Sequence, residues 1–335
     1  MAKLLALLLL SLLIIDNSYA VDPAIYVFLG GGPAKDYTQD LQNPSIVGAQ
    51  IVYSWRKLEP SEGHYDFTAV SQDLAYLTSI HKKLFIQIQD RSFDPTVIPV
   101  PDYIVKDKVY SGGIAQQVDF AGEDQPLGTG WVAMQWVPAV QQRYQALLGA
   151  LAQQFDGKIA GINLPETAID PESNATANQF SCDKYFDATL ANINFLRKAF
   201  KAGYVVQYVN FFPCEWNNDH HYMSRLFQSA KQEKVGLGNP DVVPYRKGQM
   251  KNSYQFFNQY RNQLPIVAVA VQEPDYTYID PATHQKFSMQ QVADFAKNYL
   301  GATIIFWNVQ EPQFSKKFLP LLNHKQLFNV RDQDG

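Results

Sequence analysis

Two glutamates stand directly after apolar segments of the chain: Glu166 closes KIAGINLPE, and Glu273 closes PIVAVAVQE. An ionised carboxylate that leaves water is costly unless it has partners or a function. Two facing carboxylates can share the cleavage of a glycosidic bond, because a protonated one gives its proton to the leaving oxygen while an ionised one attacks the anomeric carbon. A separation of about 5 to 5.5 Å between the carboxyl groups makes this reaction retaining.

The segments that would carry these glutamates alternate in type along the chain. Short continuous apolar runs, typical of parallel strands buried on both faces, are separated by longer segments of helical period. Helix starts are indicated at Thr68, Pro138 and Ser288. Eight strand–helix units in about 300 residues predict one α/β domain, a (β/α)8 TIM barrel. The eight predicted strands, of which the sixth is the least regular, are 25–29, 49–53, 84–89, 159–164, 204–209, 235–237, 266–271 and 303–307.

The N-terminal segment has the pattern of a secretory signal peptide. Lys3 precedes an apolar run over residues 4–15, and Ser18-Tyr19-Ala20 offers a small-x-small cleavage site. The run is too short to span a bilayer. The sequence therefore predicts a signal peptide over 1–20, a barrel domain over 21–335, and a secreted or periplasmic protein; the alternative is a frayed apolar N-terminal helix.

The chain has two cysteines, Cys182 and Cys214. An even count in an exported protein favours a disulfide. It would join the loop after strand four to the loop after strand five, and the alternative is two free buried thiols. No paired histidines stand near the cysteines at ligand spacing, so we expect no metal site, and no motif predicts a cofactor.

Charge and composition restrict the partners. The formal net charge is −4, and no basic patch indicates a nucleic-acid partner. No apolar run beyond the N-terminal one is long enough to indicate a membrane span. Aromatic residues make up 13% of the chain, with five tryptophans, and such rings stack on the apolar faces of sugars. We therefore expect an oligo- or polysaccharide partner, and the oligomeric state is left open.

Polar and aromatic residues are concentrated where the predicted strands end, which is where a barrel of this type carries its chemistry. Glu59 is interpreted as structural, paired with Arg56 or Arg91, and Glu215 is a reserve carboxylate. The long connection over 90–137 is interpreted as a wall over the barrel mouth. The substrate-binding candidates at the strand ends are Trp55, Arg91, Asn163, Asn210, Tyr245 and Trp307.

The segment GAQIVYSWRKLEPSEGHYDF, residues 48–67, resembles the region after strand two in a large clan of retaining glycoside hydrolases. These enzymes have (β/α)8 barrels with catalytic glutamates at the ends of strands four and seven. The resemblance implies that Glu166 is the acid/base and Glu273 the nucleophile. It also implies that Trp307 floors the sugar site and that Tyr245 is a partner of the nucleophile. The implied function is an exported retaining glycoside hydrolase that cleaves a β-glycosidic bond.

One position departs from that clan. Its members usually place Asn directly before the acid/base, to meet the sugar 2-hydroxyl, whereas this chain has Pro165 there and Asn163 two residues further back. Either Asn163 or another residue makes that contact, or the barrel binds carbohydrate without cleaving it. A third hypothesis is a metal-assisted hydrolase that uses Asp90, Glu166 and Glu273, although no His stands at a predicted strand end.

Overall fold

The computed structural model describes residues 22–118, 130–171, 179–272, 275–323 and 327–328. In this part of the chain, eight parallel strands pair side by side in sequence order, and the last pairs with the first to close a barrel. The (β/α)8 barrel predicted from the sequence is confirmed. The strands are β1 (Ala24–Phe28), β2 (Ile46–Ser54), β3 (Lys83–Gln89), β4 (Gly161–Leu164), β5 (Tyr204–Tyr208), β6 (Gly236–Asn239), β7 (Val267–Val271) and β8 (Ile304–Asn308).

Among the described residues, five long helices lie in the connections between the barrel strands. Pro138 is the first residue of its helix, as predicted, where its missing N–H is not needed. Ser288 caps the last long helix in a capping box with Gln291. No helix in the described ranges is both long and apolar enough to cross a bilayer. The long helices are α1 (Thr68–Ser79), α2 (Pro138–Phe155), α3 (Cys182–Ala199), α4 (Tyr222–Glu233) and α5 (Met289–Asn298). Shorter helical segments are Ala34–Tyr37, Thr38–Leu41, Trp55–Leu58, Asp102–Lys106, Lys108–Tyr110, Lys247–Gln249, Met250–Tyr254, Gln255–Gln259, Asp275–Thr277, Phe314–Phe318 and Leu319–Asn323.

Aromatic rings fill part of the barrel interior. Tyr26, Phe85 and Phe306 meet edge to face, with ring centroids 5.2–6.3 Å apart. Gly161 makes room for this packing, because a Cβ there would lie 2.4 Å from the Phe85 ring. The interior is therefore a packed core rather than a pore, and a ligand reaches it from the mouth at the carboxyl ends of the strands.

The long connection between β3 and α2 is folded in its described part. Three short strands, Arg91–Ser92, Ile114–Gln116 and Trp131–Ala133, form an antiparallel sheet beside the barrel. This agrees with the inference that the connection is ordered rather than a disordered linker. Residues 119–129 lie outside the described residues, and the role of the connection as a wall over the mouth stays a prediction.

The predicted disulfide is present in the structure. Cys182 is the first residue of α3, and Cys214 lies in the connection that follows β5. Their Cα atoms are 6.2 Å apart, within the usual range for a disulfide. The bond joins the connections after β4 and β5 on the mouth side of the barrel, and the alternative of two free thiols is wrong.

Candidate active site

Glu166 lies two residues beyond the end of β4, and its side chain is half-buried at the barrel mouth. Its carboxylate accepts a hydrogen bond from Nδ2 of Asn210, which lies two residues beyond β5. Its backbone carbonyl accepts a hydrogen bond from Nη1 of Arg91, which lies two residues beyond β3. The two neighbouring strand ends therefore hold Glu166 from both sides, one at the side chain and one at the backbone.

The surroundings of Glu166 raise the pKa of its carboxyl group into the neutral range. Burial is the largest cause, and the negative charge of Asp241 adds to it; together they raise the pKa of Glu166 to about 7. The positive charge of Arg91 and the hydrogen bond from Asn210 oppose this increase. A carboxyl group with a pKa near 7 can give up a proton and take one back at neutral pH, as a general acid/base must.

Asn210 was predicted to bind substrate, but in the structure its amide is directed at Glu166. Its Oδ1 accepts hydrogen bonds from the backbone N–H groups of Ala168, at 3.0 Å, and Phe211, at 3.1 Å. Since the oxygen is used in this way, the amino group is the end that faces the Glu166 carboxylate. Asn210 is therefore a positioning residue for the carboxyl group.

Arg91 was also predicted to contact substrate, and the structure does not support that role. The residue is only 3% exposed, and its side chain forms an ion pair with Asp90, with Nε and Oδ1 2.9 Å apart. Its Nη1 lies 3.2 Å from the hydroxyl of Tyr185 and also donates to the backbone carbonyl of Glu166.

Asp90, one of the three acids in the metal-assisted hypothesis, is fully buried and accepts hydrogen bonds from Arg91 and Gln135. Within the described ranges, no group of three His, Cys, Asp or Glu side chains could hold a metal ion.

Two aspartates missed by the sequence reasoning follow the ends of β6 and β7, and the charge of the first, Asp241, acts on the acid/base candidate. Asp241 is half-buried, two residues beyond β6, and its pKa is raised to about 6 by burial, against the lowering charge of Arg246. Asp275 is 1% exposed, four residues beyond β7. Burial and the charge of Asp241 place the pKa of Asp275 well above its usual range. Their position after strand ends was the signal available in the sequence, because all such residues meet at one face of a barrel.

Asp275 joins the ends of β6 and β7. Its Oδ2 accepts two backbone hydrogen bonds, from Val242 at 2.9 Å and from Gln272 at 3.0 Å. The Gln272 side chain adds a third link, from Nε2 to the Pro240 carbonyl at 2.6 Å. The other oxygen of Asp275, Oδ1, is buried without a hydrogen-bond partner in the described structure. A proton on Oδ1 would leave Oδ2 free to accept both N–H groups.

Replacing Asp275 by Asn is expected to flatten the dependence of stability on pH. Because burial raises the folded-state pKa of Asp275 above its unfolded value of about 3.9, the native state binds the proton more tightly. The parent should therefore lose stability as pH rises above about 4, by at most about 1.4 kcal/mol per pH unit from this group. Urea unfolding between pH 5 and pH 8 should show a smaller decrease for Asp275→Asn than for the parent.

The matched control for this prediction is Asp275→Leu, which removes the acceptor as well as the titrating group. Two buried N–H groups then lose their partner, at a cost of about 1–3 kcal/mol each. Asp275→Leu should be less stable than Asp275→Asn at every pH. An Asn variant with the same pH dependence as the parent would contradict the protonated state assigned to Asp275.

The two tryptophans predicted at the sugar site lie in the core. Trp55 is fully buried, donates from Nε1 to Glu59 at 2.8 Å, and packs against Tyr144. Trp307 is also fully buried and stacks on Phe318, with ring centroids 4.1 Å apart. Neither ring has a surface open to a ligand, so the structure does not support the prediction that Trp55 contacts the sugar or the prediction that Trp307 forms the floor of the site.

Glu59 is structural, as inferred, but its predicted ionic partner was wrong. Its carboxylate pairs with Arg143 of α2 rather than with Arg56 or Arg91. Its Oε1 also accepts the backbone N–H of Gly63 at 2.9 Å. The carboxylate is fully buried, and these contacts with the Trp55 indole hold the turn after β2 in place.

Two further predicted contacts differ in exposure. Tyr245 is 53% exposed, in the connection after β6, and its ring packs against Phe295 with centroids 5.3 Å apart. Asn163 is fully buried on β4. The exposed ring of Tyr245 remains available to a ligand, whereas Asn163 contributes to the barrel interior. The roles of both toward a substrate stay predictions.

Glu215, the reserve carboxylate, has a structural role. Its Oε1 accepts the backbone N–H of Tyr222 at 2.6 Å, and its Oε2 accepts that of Met223 at 3.0 Å. These N–H groups begin α4, where a helix has unpaired donors and favours negative charge. Glu215 therefore caps a helix, and its use as an alternative catalytic acid is not supported.

Glu273 lies outside the described residues, so the structure does not test its predicted separation from Glu166. Residues 273–274 are not among those described, so the 5 to 6 Å distance stays a prediction. The nearest described residues before and after this gap, Gln272 and Asp275, make the hydrogen bonds given above. The strand that leads to Glu273 is fully buried over Val267–Val271.

The barrel is similar in three dimensions to solved glycoside hydrolases. The lactosyl-enzyme intermediate of endo-glycoceramidase II from Rhodococcus sp. matches with a TM-score of 0.52 and 12% identity, over 87% of this chain and 73% of that chain. A psychrophilic family 10 endo-β-1,4-xylanase matches with a TM-score of 0.50 and 10% identity, over 90% of both chains. The β-galactosidase from the psychrophilic Marinomonas ef1 matches with a TM-score of 0.52 and 11% identity, over 84% of this chain and 53% of that chain.

The chain has the fold of these glycoside hydrolases. At 10–12% identity the likeness concerns the fold alone. No protein-family model and no curated protein matches the sequence. The chemistry of this chain must therefore be argued from its own residues.

Proposed function

We propose that the protein is an exported retaining glycoside hydrolase, with Glu166 as acid/base and Glu273 as nucleophile. The observation that carries the proposal is the state of Glu166: a half-buried carboxyl group at the barrel mouth, held by Asn210 and Arg91, with its pKa raised to about 7. A carboxyl group with a pKa near 7 is partly protonated at neutral pH, and its protonated form is the one required to protonate a leaving oxygen. The shared fold with glycoside hydrolases supports the same reaction class.

In the first step, Glu166 gives its proton to the glycosidic oxygen while the carboxylate of Glu273 attacks the anomeric carbon. The bond from that carbon to the leaving oxygen breaks, a carbon–oxygen bond to Glu273 forms, and the aglycone leaves as an alcohol. In the second step, the ionised Glu166 takes a proton from water, and the resulting hydroxide oxygen displaces Glu273. Two inversions at the anomeric carbon give net retention.

The residues around Glu166 support this exchange of its proton. The Asn210 hydrogen bond stabilises the carboxylate that exists between the two steps. The charge of Asp241 and burial favour the return of the proton. Because these effects oppose each other, the two protonation states are close in free energy near pH 7, which both steps require.

The proposed substrate is an oligo- or polysaccharide with a β-glycosidic bond. A xylanase for β-1,4 linkages and a β-galactosidase share the fold, which supports the β configuration. Export is supported by the disulfide Cys182–Cys214, since disulfides persist in oxidising compartments. The signal peptide predicted over residues 1–20 lies outside the described residues and stays part of the proposal.

A carbohydrate-binding barrel without catalysis is the second candidate function. The observation in its favour is Pro165 directly before Glu166, where its carbonyl accepts a hydrogen bond from Gln207 and no amide is present to meet the sugar. The burial of Trp55 and Trp307 also leaves the site with fewer stacking rings than the sequence suggested.

A screen of 4-nitrophenyl glycosides, with α and β anomers of each common sugar, tests the proposal. We expect release of nitrophenol from at least one β-glycoside and none from its α anomer. Proton NMR during the first minutes should show the β sugar before mutarotation, as retention requires. Initial release of the α sugar would contradict the retaining mechanism. Sugar binding without release from any member of the panel would favour the binding barrel.

A further inference from the structure

Trp216 is the one exposed tryptophan of the chain. It lies in the connection between β5 and α4 and is 58% exposed, whereas the other four tryptophans are buried or half-buried. Single exposed apolar side chains are common and need no function. The exposure of Trp216 becomes informative because its backbone is firmly held and because its ring lies beside positive charge.

The residues around Trp216 fix the position of its backbone. Cys214 is bonded to Cys182 at the start of α3, and Glu215 caps α4. The N–H of Trp216 itself donates to Oδ1 of Asp219 at 2.9 Å. The loop that carries the indole is therefore tied both to the connection after β4 and to the helix that follows the loop.

The next residue along the chain ties the same loop to the connection after β6. The N–H of Asn217 donates to Oδ1 of Asn252 at 2.9 Å, and Nδ2 of Asn252 donates to the Gly248 carbonyl at 3.0 Å. Asn217 and Asn218 have left-handed backbones, with φ of 56° and 60°, which Asn adopts more readily than most residues. Covalent and polar contacts thus hold an exposed ring in a fixed place on the mouth side of the barrel.

A second exposed ring links Trp216 to the candidate active site. Phe211 is 44% exposed, and its carbonyl accepts a hydrogen bond at 2.8 Å from the hydroxyl of Thr167, the residue after Glu166. Trp216 follows five residues later, so its Cα lies at most about 18 Å from that of Phe211. Both rings lie on the β5 side of the mouth, and an oligosaccharide cleaved beside Glu166 can extend along them.

The surface next to Trp216 is positively charged. Nζ of Lys251 lies 5.0 Å from the centroid of the Trp216 ring, which is a cation–π distance. Residues 242–253, in the connection after β6, include Arg246, Lys247 and Lys251 but no Asp or Glu, in a chain whose net charge is −4. Both lysines are exposed, and neither forms a salt bridge within the described residues. Their ammonium groups can therefore pair with an anion from outside the chain.

The acids of the loop that carries the indole are already engaged. Glu215 accepts two backbone N–H groups at the start of α4, and Oδ1 of Asp219 lies 2.9 Å from Nδ1 of His220. In the part of the chain that the structure describes, neither carboxylate is in salt-bridge contact with the two lysines. These acids therefore do not neutralise the lysines directly.

We propose that Trp216 and Lys251 form a rim site that binds an acidic sugar unit of the substrate, one that carries a carboxylate or a sulfate group. The inference rests on the proposed function for the place of cleavage and adds the charge class of the substrate. The exposed indole stacks on the apolar face of the sugar ring. Lys251 has a flexible four-carbon stem, so its ammonium pairs with the anion at the edge of the indole.

Isothermal titration calorimetry tests the rim site with hexasaccharides that differ only at C6. One pair is cellohexaose and its β-1,4-linked glucuronic acid counterpart, and the other is β-1,4-mannohexaose and its mannuronic acid counterpart. The 6-O-sulfated forms of both neutral hexamers distinguish sulfate from carboxylate. The protein carries Glu166→Gln so that the ligand is not cleaved. At about 50 mM NaCl we expect at least one acidic hexamer to bind about fivefold more tightly than its neutral counterpart. This advantage should fall below about twofold at about 500 mM, because salt screens exposed charges.

Substitutions of the two residues should separate stacking from charge. Trp216→Ala should weaken the binding of both members of a pair about tenfold, and Trp216→Tyr, which keeps a stacking ring, should restore most of that loss. Lys251→Gln should weaken the acidic hexamer about threefold more than the neutral one. Melting temperatures should stay within about 2 °C of the Glu166→Gln protein, because both side chains are exposed.

The matched controls are Lys158→Gln and Tyr204→Ala, which change an exposed lysine and an exposed aromatic ring at the amino ends of β4 and β5. Both should bind every hexamer as the Glu166→Gln protein does. The inference is overturned if that protein binds no hexamer, if it binds acidic and neutral hexamers equally, or if the Trp216 and Lys251 variants behave like these controls.

The outcome is separable from that of the proposed function. A protein that hydrolyses nitrophenyl glycosides but shows no preference for acidic hexamers would keep the enzyme proposal and remove the rim site. A protein that hydrolyses nothing, yet binds an acidic hexamer through Trp216 and Lys251, would keep the rim site and support the binding barrel.

Discussion

Glu166→Ala is expected to reduce turnover of glycosides with poor leaving groups by about 10²- to 10⁴-fold, the usual contribution of a general acid. The loss should be much smaller for a 2,4-dinitrophenyl glycoside, because this phenol leaves without a proton. The first step then proceeds and the glycosyl-enzyme accumulates, since no base activates the water. Added azide should restore the second step and give a β-glycosyl azide, measured by steady-state kinetics and product NMR.

The pH profile provides the control for this role of Glu166. In the parent, kcat/KM should fall as pH rises through about 7, because the proton on Glu166 is lost there. Asp241→Asn removes the negative charge that raises this pKa, so the decrease should move to lower pH. A Glu166→Ala variant as active as the parent on alkyl glycosides would exclude Glu166 as the acid.

The fold was predictable because it depends on patterns that extend over many residues. The eight strands are short apolar runs buried on both faces, and three of the five long helices in the described residues begin where the sequence indicated, at Thr68, at Pro138 and after Ser288. Once the barrel is predicted, the positions of the strand ends are known, and Glu166 lies just beyond the end of β4 as predicted. Predicting the strands, the helix starts and the strand ends requires only local sequence patterns and the closure of one sheet into a barrel.

The contacts at the site were harder to predict, since they depend on which way a side chain points. Trp307 was taken as the floor of the sugar site, yet it alternates with Phe306, which fills the interior, and so it faces outward to Phe318. Counting alternation along β8 from the strand start would have given this result. The pairing of Glu59 with Arg143, 84 residues away, had no such local signal.

The burial of the two aspartates is a further feature of the site that the sequence did not predict. Asp241 and Asp275 were each visible after a predicted strand, but a carboxyl group in a connection is usually exposed, and nothing local distinguishes these from others. Their burial arises where the ends of β6 and β7 are linked through Val242 and Gln272. Such a link forms only after the barrel closes, so the burial of these carboxyl groups could not be inferred from sequence.

Glu273→Ala is the most demanding test of the proposed chemistry, because a retaining reaction cannot form its covalent intermediate without the nucleophile. We expect turnover to fall by more than about 10⁴-fold for every glycoside, including those with activated phenols. Added azide would attack the anomeric carbon directly, in a single inversion, and give an α-glycosyl azide. This is the opposite anomer to the product expected from Glu166→Ala, so product NMR distinguishes the two roles.

The chain offers a matched control in Glu311, which repeats the Gln-Glu-Pro triplet of residues 272–274 and is exposed. Glu311→Ala should therefore retain the activity of the parent. Circular dichroism melting should show whether Glu273→Ala is folded before its kinetics are compared. A folded Glu273→Ala variant that cleaves activated glycosides at the parent rate would assign the nucleophile elsewhere, and an azide product of the same anomer from both variants would contradict their separate roles in a double displacement.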